Sequence, residues 1–147
     1  MTTPEVVDWI PHRPPFLFVD DVVEVSPGRI VTTKRAEPEA AFFAGHYPGN
    51  PVMPGVLLCE CAFQAGALLL ARRLGPGGGT GVPVLTRINS ARFKRLVRPG
   101  DGLTVEVTLD DELDGACFMT GRVSVGDRLA LRVEFACTLA AGTEGDR

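Results

Sequence analysis

Apolar and polar positions divide this chain into a hairpin, one long apolar run and four further runs of strand length. Val19 to Val25 is rich in β-branched residues and ends at Ser26-Pro27-Gly28-Arg29, a turn signal, after which Ile30 to Arg35 reads as the partner strand. From about Pro54 to Leu74 apolar side chains fill nearly every position, which predicts a buried helix. Pro54 suits its first turn, Arg72 and Arg73 suit its last turn, where cations complement the helix dipole, and Gly75 stops it. Val82 to Phe93, Leu103 to Leu109, Ala116 to Val125 and Arg128 to Leu139 then read as strands. Turn signals at Arg98-Pro99-Gly100-Asp101, Asp114-Gly115 and Gly126-Asp127 separate them. Thr104-Val105-Glu106-Val107-Thr108 alternates cleanly, as does Arg132-Val133-Glu134-Phe135, so each strand has one buried and one wet face.

The remaining segments are shorter. Thr3-Pro4-Glu5 looks like a helix start with Thr3 as N-cap, continuing to about Trp9. Pro11, Pro14 and Pro15 forbid regular helix after it. Ala41 to Gly55 reads as loop, Pro76 to Gly81 as a flexible loop, and the chain from Ala140 as a disordered tail. Neither a repeat nor a linker interrupts the chain, so residues 1–147 are expected to form a single domain, with 141–147 as tail. Hairpin, helix, then antiparallel meander is an α+β order. A helix apolar on nearly all sides must be covered on all sides. A strongly curved antiparallel sheet wrapped around it would do so, with a second subunit covering what remains. The rival is a membrane span, but Glu60, Gln64 and the amphipathic strands argue against it.

Composition narrows the classes further. The formal net charge of −3 makes no whole-chain case for nucleic acid. No basic segment followed by an apolar run marks a signal peptide, so a cytoplasmic location with reduced thiols is expected. Cys59, Cys61, Cys117 and Cys137 read as small buried hydrophobes. Cys59 and Cys61, two apart on a helix, point to nearly opposite sides, and no metal site is expected.

Candidate chemistry is sparse and therefore informative. Between Val56 and Ala71 the only strongly polar side chains are Glu60 and Gln64, four apart and so on one face. A buried carboxyl must be paired, hydrogen-bonded or kept protonated. One reading makes Glu60 part of a local network. The other comes from the preceding loop, Gly45-His46-Tyr47-Pro48-Gly49, whose glycines and prolines permit tight backbone. That loop could bring His46 to the face of Glu60, in the same subunit or a neighbouring one.

Three blocks carry a family resemblance. Ile10-Pro11-His12-Arg13-Pro14-Pro15-Phe16-Leu17-Phe18-Val19-Asp20 opens it. Phe42-Phe43-Ala44-Gly45-His46-Tyr47-Pro48-Gly49-Asn50-Pro51-Val52-Met53-Pro54-Gly55-Val56 is the most specific block. Ala91-Arg92-Phe93-Lys94-Arg95 with Val97-Arg98-Pro99-Gly100-Asp101 is the third. Together they closely resemble the 3-hydroxyacyl-[acyl-carrier-protein] dehydratases of bacterial type II fatty acid synthesis, over most of the chain.

The resemblance implies a hot-dog fold, with one long central helix wrapped by a curved antiparallel sheet. It implies subunits paired edge to edge as a homodimer, often assembling further as a trimer of dimers. Each active site would take its histidine from one subunit and its acid from the other. An acyl chain would lie in a tunnel, delivered on the phosphopantetheine arm of an acyl carrier protein, with no other cofactor. Gln64 falls where the family has a supporting glutamine, and Tyr47 stands where phenylalanine is more usual. Pro14 and Asn89 also depart from the family pattern, at positions that bear on chain length and subunit contacts. Arg92, Lys94, Arg95 and Arg98 become candidates for a basic rim facing the acidic carrier, a feature that mainly raises the association rate. His12 is expected to be structural, fixing the entry loop, and Arg13 to be a subunit or loop anchor.

Removing water from a 3-hydroxyacyl thioester needs a base for the proton beside the carbonyl, an acid for the departing hydroxyl, and donors for the charge on the thioester oxygen. Neutral His46 suits the first task and an un-ionised, buried Glu60 the second. Free N–H groups at the helix start, around Gly55 and Val56, suit the third. Two other classes stay open: an acyl thioesterase in which Glu60 activates water, since one fold hosts both chemistries, and a non-catalytic acyl-binding subunit.

Overall fold

A computed structural model describes residues 1–74 and 81–141. Its elements are α1 (Thr3–Val6), β1 (Asp21–Ser26), β2 (Arg29–Arg35), α2 (Ala41–Gly45), α3 (Gly55–Leu74), β3 (Gly81–Phe93), β4 (Gly102–Leu113), β5 (Ala116–Val125) and β6 (Arg128–Ala141). The strands form one six-stranded sheet in the order β1-β2-β4-β5-β6-β3, antiparallel throughout. The sheet wraps α3, which packs against every strand from β2 to β6. This is the α+β hot-dog arrangement.

The binary pattern explains the core. Leu103, Val105 and Val107 of β4, Met119 and Val123 of β5, and Leu131, Val133 and Phe135 of β6 all point inward and are buried. They meet Leu58, Cys61, Ala62, Ala65, Leu68 and Leu69 of α3. Small residues set the spacing: a Cβ on Gly121 would lie 2.8 Å from the Ala62 Cβ, so helix and sheet approach at backbone distance. By length and apolar composition α3 could cross a membrane. It is instead the core helix of this sheet.

Several expectations need correction. The final strands are not a simple meander: β4, β5 and β6 follow one another, but β3 pairs with β6 at the far edge. The long helix carries the chain from the β1–β2 side across the concave face, so β3 arrives at the opposite edge. Thr2 rather than Thr3 caps α1: its amide donates to Glu5 Oε2 at 2.8 Å, while Thr3 Oγ1 donates to the Asp20 carbonyl at 2.5 Å. The helix ends at Val6, short of Trp9. Ala41–Gly45 is a helical turn rather than loop, anchored by buried Phe43. β6 continues to Ala141, past the expected start of the tail. Gly81 opens β3 rather than closing the expected flexible loop over Pro76 to Gly81; the rest of that loop and the tail beyond 141 lie outside the described residues.

The two sheet edges differ. β1 spans six residues and carries Asp21 and Glu24, charges that discourage further pairing. β3 spans 13 residues, pairs on one side only among the described residues, and exposes Val82, Val84, Leu85, Ile88 and Phe93.

Candidate active site

His46 sits just after α2, in a loop whose backbone is held in the left-handed region at Tyr47 (φ 58°) and Gly49 (φ 92°). Its Nδ1 lies 2.8 Å from the Val52 carbonyl oxygen. A carbonyl only accepts, so Nδ1 carries the proton and a neutral ring leaves Nε2 bare as a base. The loop is strapped to the chain just beyond β3. The Met53 amide donates to the Val97 carbonyl at 2.8 Å, and Arg98 Nη1 donates to Asn50 Oδ1 at 2.8 Å. A Cβ on Gly55 would come within 2.8 Å of the Phe93 ring. Phe93 therefore takes part of the space beside the Gly55 backbone, whose N–H is expected to meet the thioester oxygen. His46 thus belongs to the unpaired β3 side of the molecule.

Glu60 lies in the second turn of α3 beside Gln64, as the four-residue spacing requires. Gln64 is fully buried, and its orientation is unambiguous. The Phe18 amide donates to Gln64 Oε1 at 2.7 Å, so Nε2 points the other way and donates to Glu60 Oε2 at 3.0 Å and to the Phe16 carbonyl at 3.1 Å. Oε2 is thereby an acceptor, and any proton on the carboxyl resides on Oε1.

Within one chain the histidine beside Glu60 is not His46. His12 Nε2 stands 3.8 Å from Glu60 Oε2, whereas His46 makes no ion pair with Glu60 among the described residues. Burial lowers the pKa of His12; Glu60 opposes that shift and the Arg13 charge adds to it. The Arg13 guanidinium holds the entry loop through the carbonyls of Val7, Ile10 and His12. The expected anchoring role of Arg13 has a direct counterpart here. His12 faces the acid, which sequence spacing could not reveal because 48 residues separate them.

At the start of α3 the first turn closes through Leu57 and Leu58 amides on the Pro54 carbonyl, while the Gly55 and Val56 amides have no partner among the described residues. Val56 itself is exposed, as is Tyr47, whose ring packs 4.5 Å from that of His46.

Arg92, Lys94, Arg95 and Arg98 are all exposed. Arg98 is engaged with Asn50, so one member of the expected rim also braces the His46 loop. The register aligns two further arginines with this exposed basic set: Arg92 lies opposite Arg132, and Arg132 opposite Arg122. Like charges directly opposite disfavour a sheet, so such a row calls for a counter-charge. Glu134 and Glu106 supply part of it from within the chain. Alternation alone places Arg122 and Arg132 on the wet face, but their alignment with Arg92 depends on β3 lying beside β6.

The model for the FabA-like domain matches residues 10–134. The chain belongs to the FabA-like family. Among relatives of this FabA-like chain, the 3-hydroxyacyl-[acyl-carrier-protein] dehydratase FabZ of Chloroflexus aggregans is 45% identical over 137 residues, covering 91% of this chain and 94% of that protein. The protein of the same description from Verminephrobacter eiseniae is 41% identical over 144 residues, covering 97% and 96%. Among solved structures, the dehydratase heterocomplex ApeI:P from Xenorhabdus doucetiae has a TM-score of 0.80 at 16% identity, covering 95% of this chain and 93% of that one. A hypothetical thioesterase from Streptococcus pneumoniae has a TM-score of 0.64, also at 16% identity, covering 82% and 85%. At that identity these structures establish the hot-dog fold and nothing finer.

Proposed function

We propose that this FabA-like chain is a hydro-lyase of fatty acid or related lipid synthesis, converting a (3R)-3-hydroxyacyl-[acyl-carrier-protein] to the trans-2-enoyl thioester. The observation that carries the reading is the anchored His46 ring, which commits Nδ1–H to Val52 and leaves Nε2 free to accept a proton. His46 Nε2 takes the proton beside the thioester carbonyl. Glu60 gives the proton on Oε1 to the 3-hydroxyl, which leaves as water as the double bond forms. The Gly55 and Val56 amides receive the charge developing on the thioester oxygen. The protons balance once solvent restores Glu60 and relieves His46.

His46 makes no ion pair with Glu60 within one chain among the described residues, and the reading takes His46 from one subunit and Glu60 from another. The long apolar β3 edge supports a homodimer, with a trimer of dimers as a further assembly. The substrate arrives on a phosphopantetheine arm, and the chemistry calls on no other cofactor. Arg92, Lys94, Arg95 and Arg98, with Arg122 and Arg132, suit the acidic carrier protein. Tyr47 and Val56 flank the base and the amides, where an acyl thioester would pass. Location in the cytoplasm fits a carrier-borne substrate.

The test is direct. Purified protein given a 3-hydroxybutyryl thioester of the carrier should accumulate the enoyl absorbance without releasing free thiol. Release of the thiol with no enoyl product would make it a thioesterase instead. Tight binding with neither product would make it an acyl-binding subunit.

A further inference from the structure

Beside Glu60 and Gln64 stands His12, a polar side chain to which the proposed reaction gives no task. Its Nε2 faces Glu60 Oε2 at 3.8 Å, beyond hydrogen-bond length, and both side chains are less than a third exposed. Its Nδ1 is buried with no hydrogen-bond partner among the described residues. An apolar ring in the same place would fill the space without that cost, so packing alone does not account for a histidine. A buried Nδ1 with no acceptor nearby is a poor home for the single proton of the neutral ring. Nε2, aimed at a carboxyl oxygen, is a good one. Arg13 fixes the loop through three carbonyls, and so aims the ring.

We propose that His12 is a positioning residue: its Nε2–H closes onto Glu60 Oε2 when Glu60 gives its Oε1 proton to the departing hydroxyl. The new carboxylate is then held by two donors, Gln64 and His12, where the un-ionised acid is held by one. An interaction that tightens only as charge appears lowers the barrier rather than the substrate's binding energy. His12 keeps its own proton throughout. Burial, the foremost influence on its pKa, keeps the ring neutral in the neutral range. The groups acting on His12 are Glu60 and Arg13, and those that feel Glu60 are His12, Cys59 and Cys61 on its own helix, and Cys137 on β6. The proposal rests on the dehydratase reading for its consequence in turnover, and on the contact alone for its titration.

Two substitutions separate positioning from shape. His12→Phe keeps the ring volume and removes the donor. Its kcat should fall about ten- to hundredfold, as for loss of one hydrogen bond to a charged group, with KM within about twofold. His12→Gln, which returns an N–H near the Nε2 position, should recover most of the rate. Wild-type kcat in His12→Phe would overturn the proposal, and so would equal impairment of both variants. The second measurement needs no turnover: the two histidines are followed by NMR through a pH series in the wild-type protein and in Glu60→Gln. His12 should titrate at lower pH once the carboxylate is gone, and an unchanged midpoint would overturn the contact. A coupled His12 in a protein without dehydratase activity would sink the dehydratase reading, and the catalytic role with it, while the contact stood.

Discussion

All the polar atoms of Gln64 are committed: Oε1 to the Phe18 amide, Nε2 to Glu60 and to the Phe16 carbonyl. Replacing it with leucine keeps the volume but strands a buried N–H and a carbonyl, so Gln64→Leu should cost roughly 2–4 kcal/mol in a urea titration. Its kcat should fall even where the protein is folded, because Glu60 loses the donor that orients it. Thiols make a second test at this scale. Burial, the leading cause in each case, pushes Cys61 and Cys137 up to about 12, so both should resist alkylation in the native protein near neutral pH and react once it is unfolded, as read by mass spectrometry. His12 yields a third. Its folded-state pKa lies below the unfolded value, so the unfolded chain binds the extra proton first and stability is lost as pH falls through and below the ordinary histidine value of 6.5. The urea midpoint should drop on mild acidification, and drop less in His12→Gln. The Glu60–Gln64 pair was legible in the sequence because helical spacing alone brings i and i+4 together. The His12–Glu60 contact was not, since it joins a proline-rich loop to a helix through tertiary folding.

α3 was legible for a comparable reason: 20 residues of nearly unbroken apolar character, a proline before the start and two arginines at the end leave one local solution. The β4–β5 turn was legible too, since Asp114 and Gly115 both adopt positive φ, as a two-residue hairpin turn of this kind requires. α2 was hidden because its five residues are held by the burial of Phe43 rather than by propensity or caps. The place of β3 beside β6 was hidden because pairing partners are set by where the helix delivers the chain. One consequence is testable at the helix–sheet contact. A methyl on Gly121 would meet the Ala62 Cβ at 2.8 Å and Val133 Cγ1 at 3.2 Å, both on regular elements that cannot step aside singly. Gly121→Ala should therefore lift α3 from the sheet at a cost of about 1–3 kcal/mol. Calorimetry should show this as a fall in Tm of roughly 3–10 °C. An unchanged Tm would mean the helix can shift freely against β5, contrary to a close-packed core.

At the scale of the whole molecule, the sheet leaves one long edge open, and the base stands on that side. The His46 loop is fastened to Val97 and Arg98, directly after β3, while Glu60 is fastened through Gln64 to Phe16 and Phe18. A site that joins them across two copies has a combinatorial signature. His46→Ala and Glu60→Gln homodimers should each be inactive. A heterodimer of the two keeps one site in which an intact His46 meets an intact Glu60, and one in which both are lost. After random exchange of equal amounts, half the dimers are mixed and half their sites work, so the mixture should recover about a quarter of wild-type kcat. A site built within one chain predicts no recovery at all, however long the proteins exchange. The same edge supplies the control. Leu85→Asp with Ile88→Asp places charges on β3 and should shift light-scattering mass toward the single chain of 15.7 kDa. Activity should be lost in parallel, and recovery should be lost when those substitutions are added to both inactive variants. Monomers that retained full turnover would show that one chain holds the whole site, and the two-subunit reading would fall.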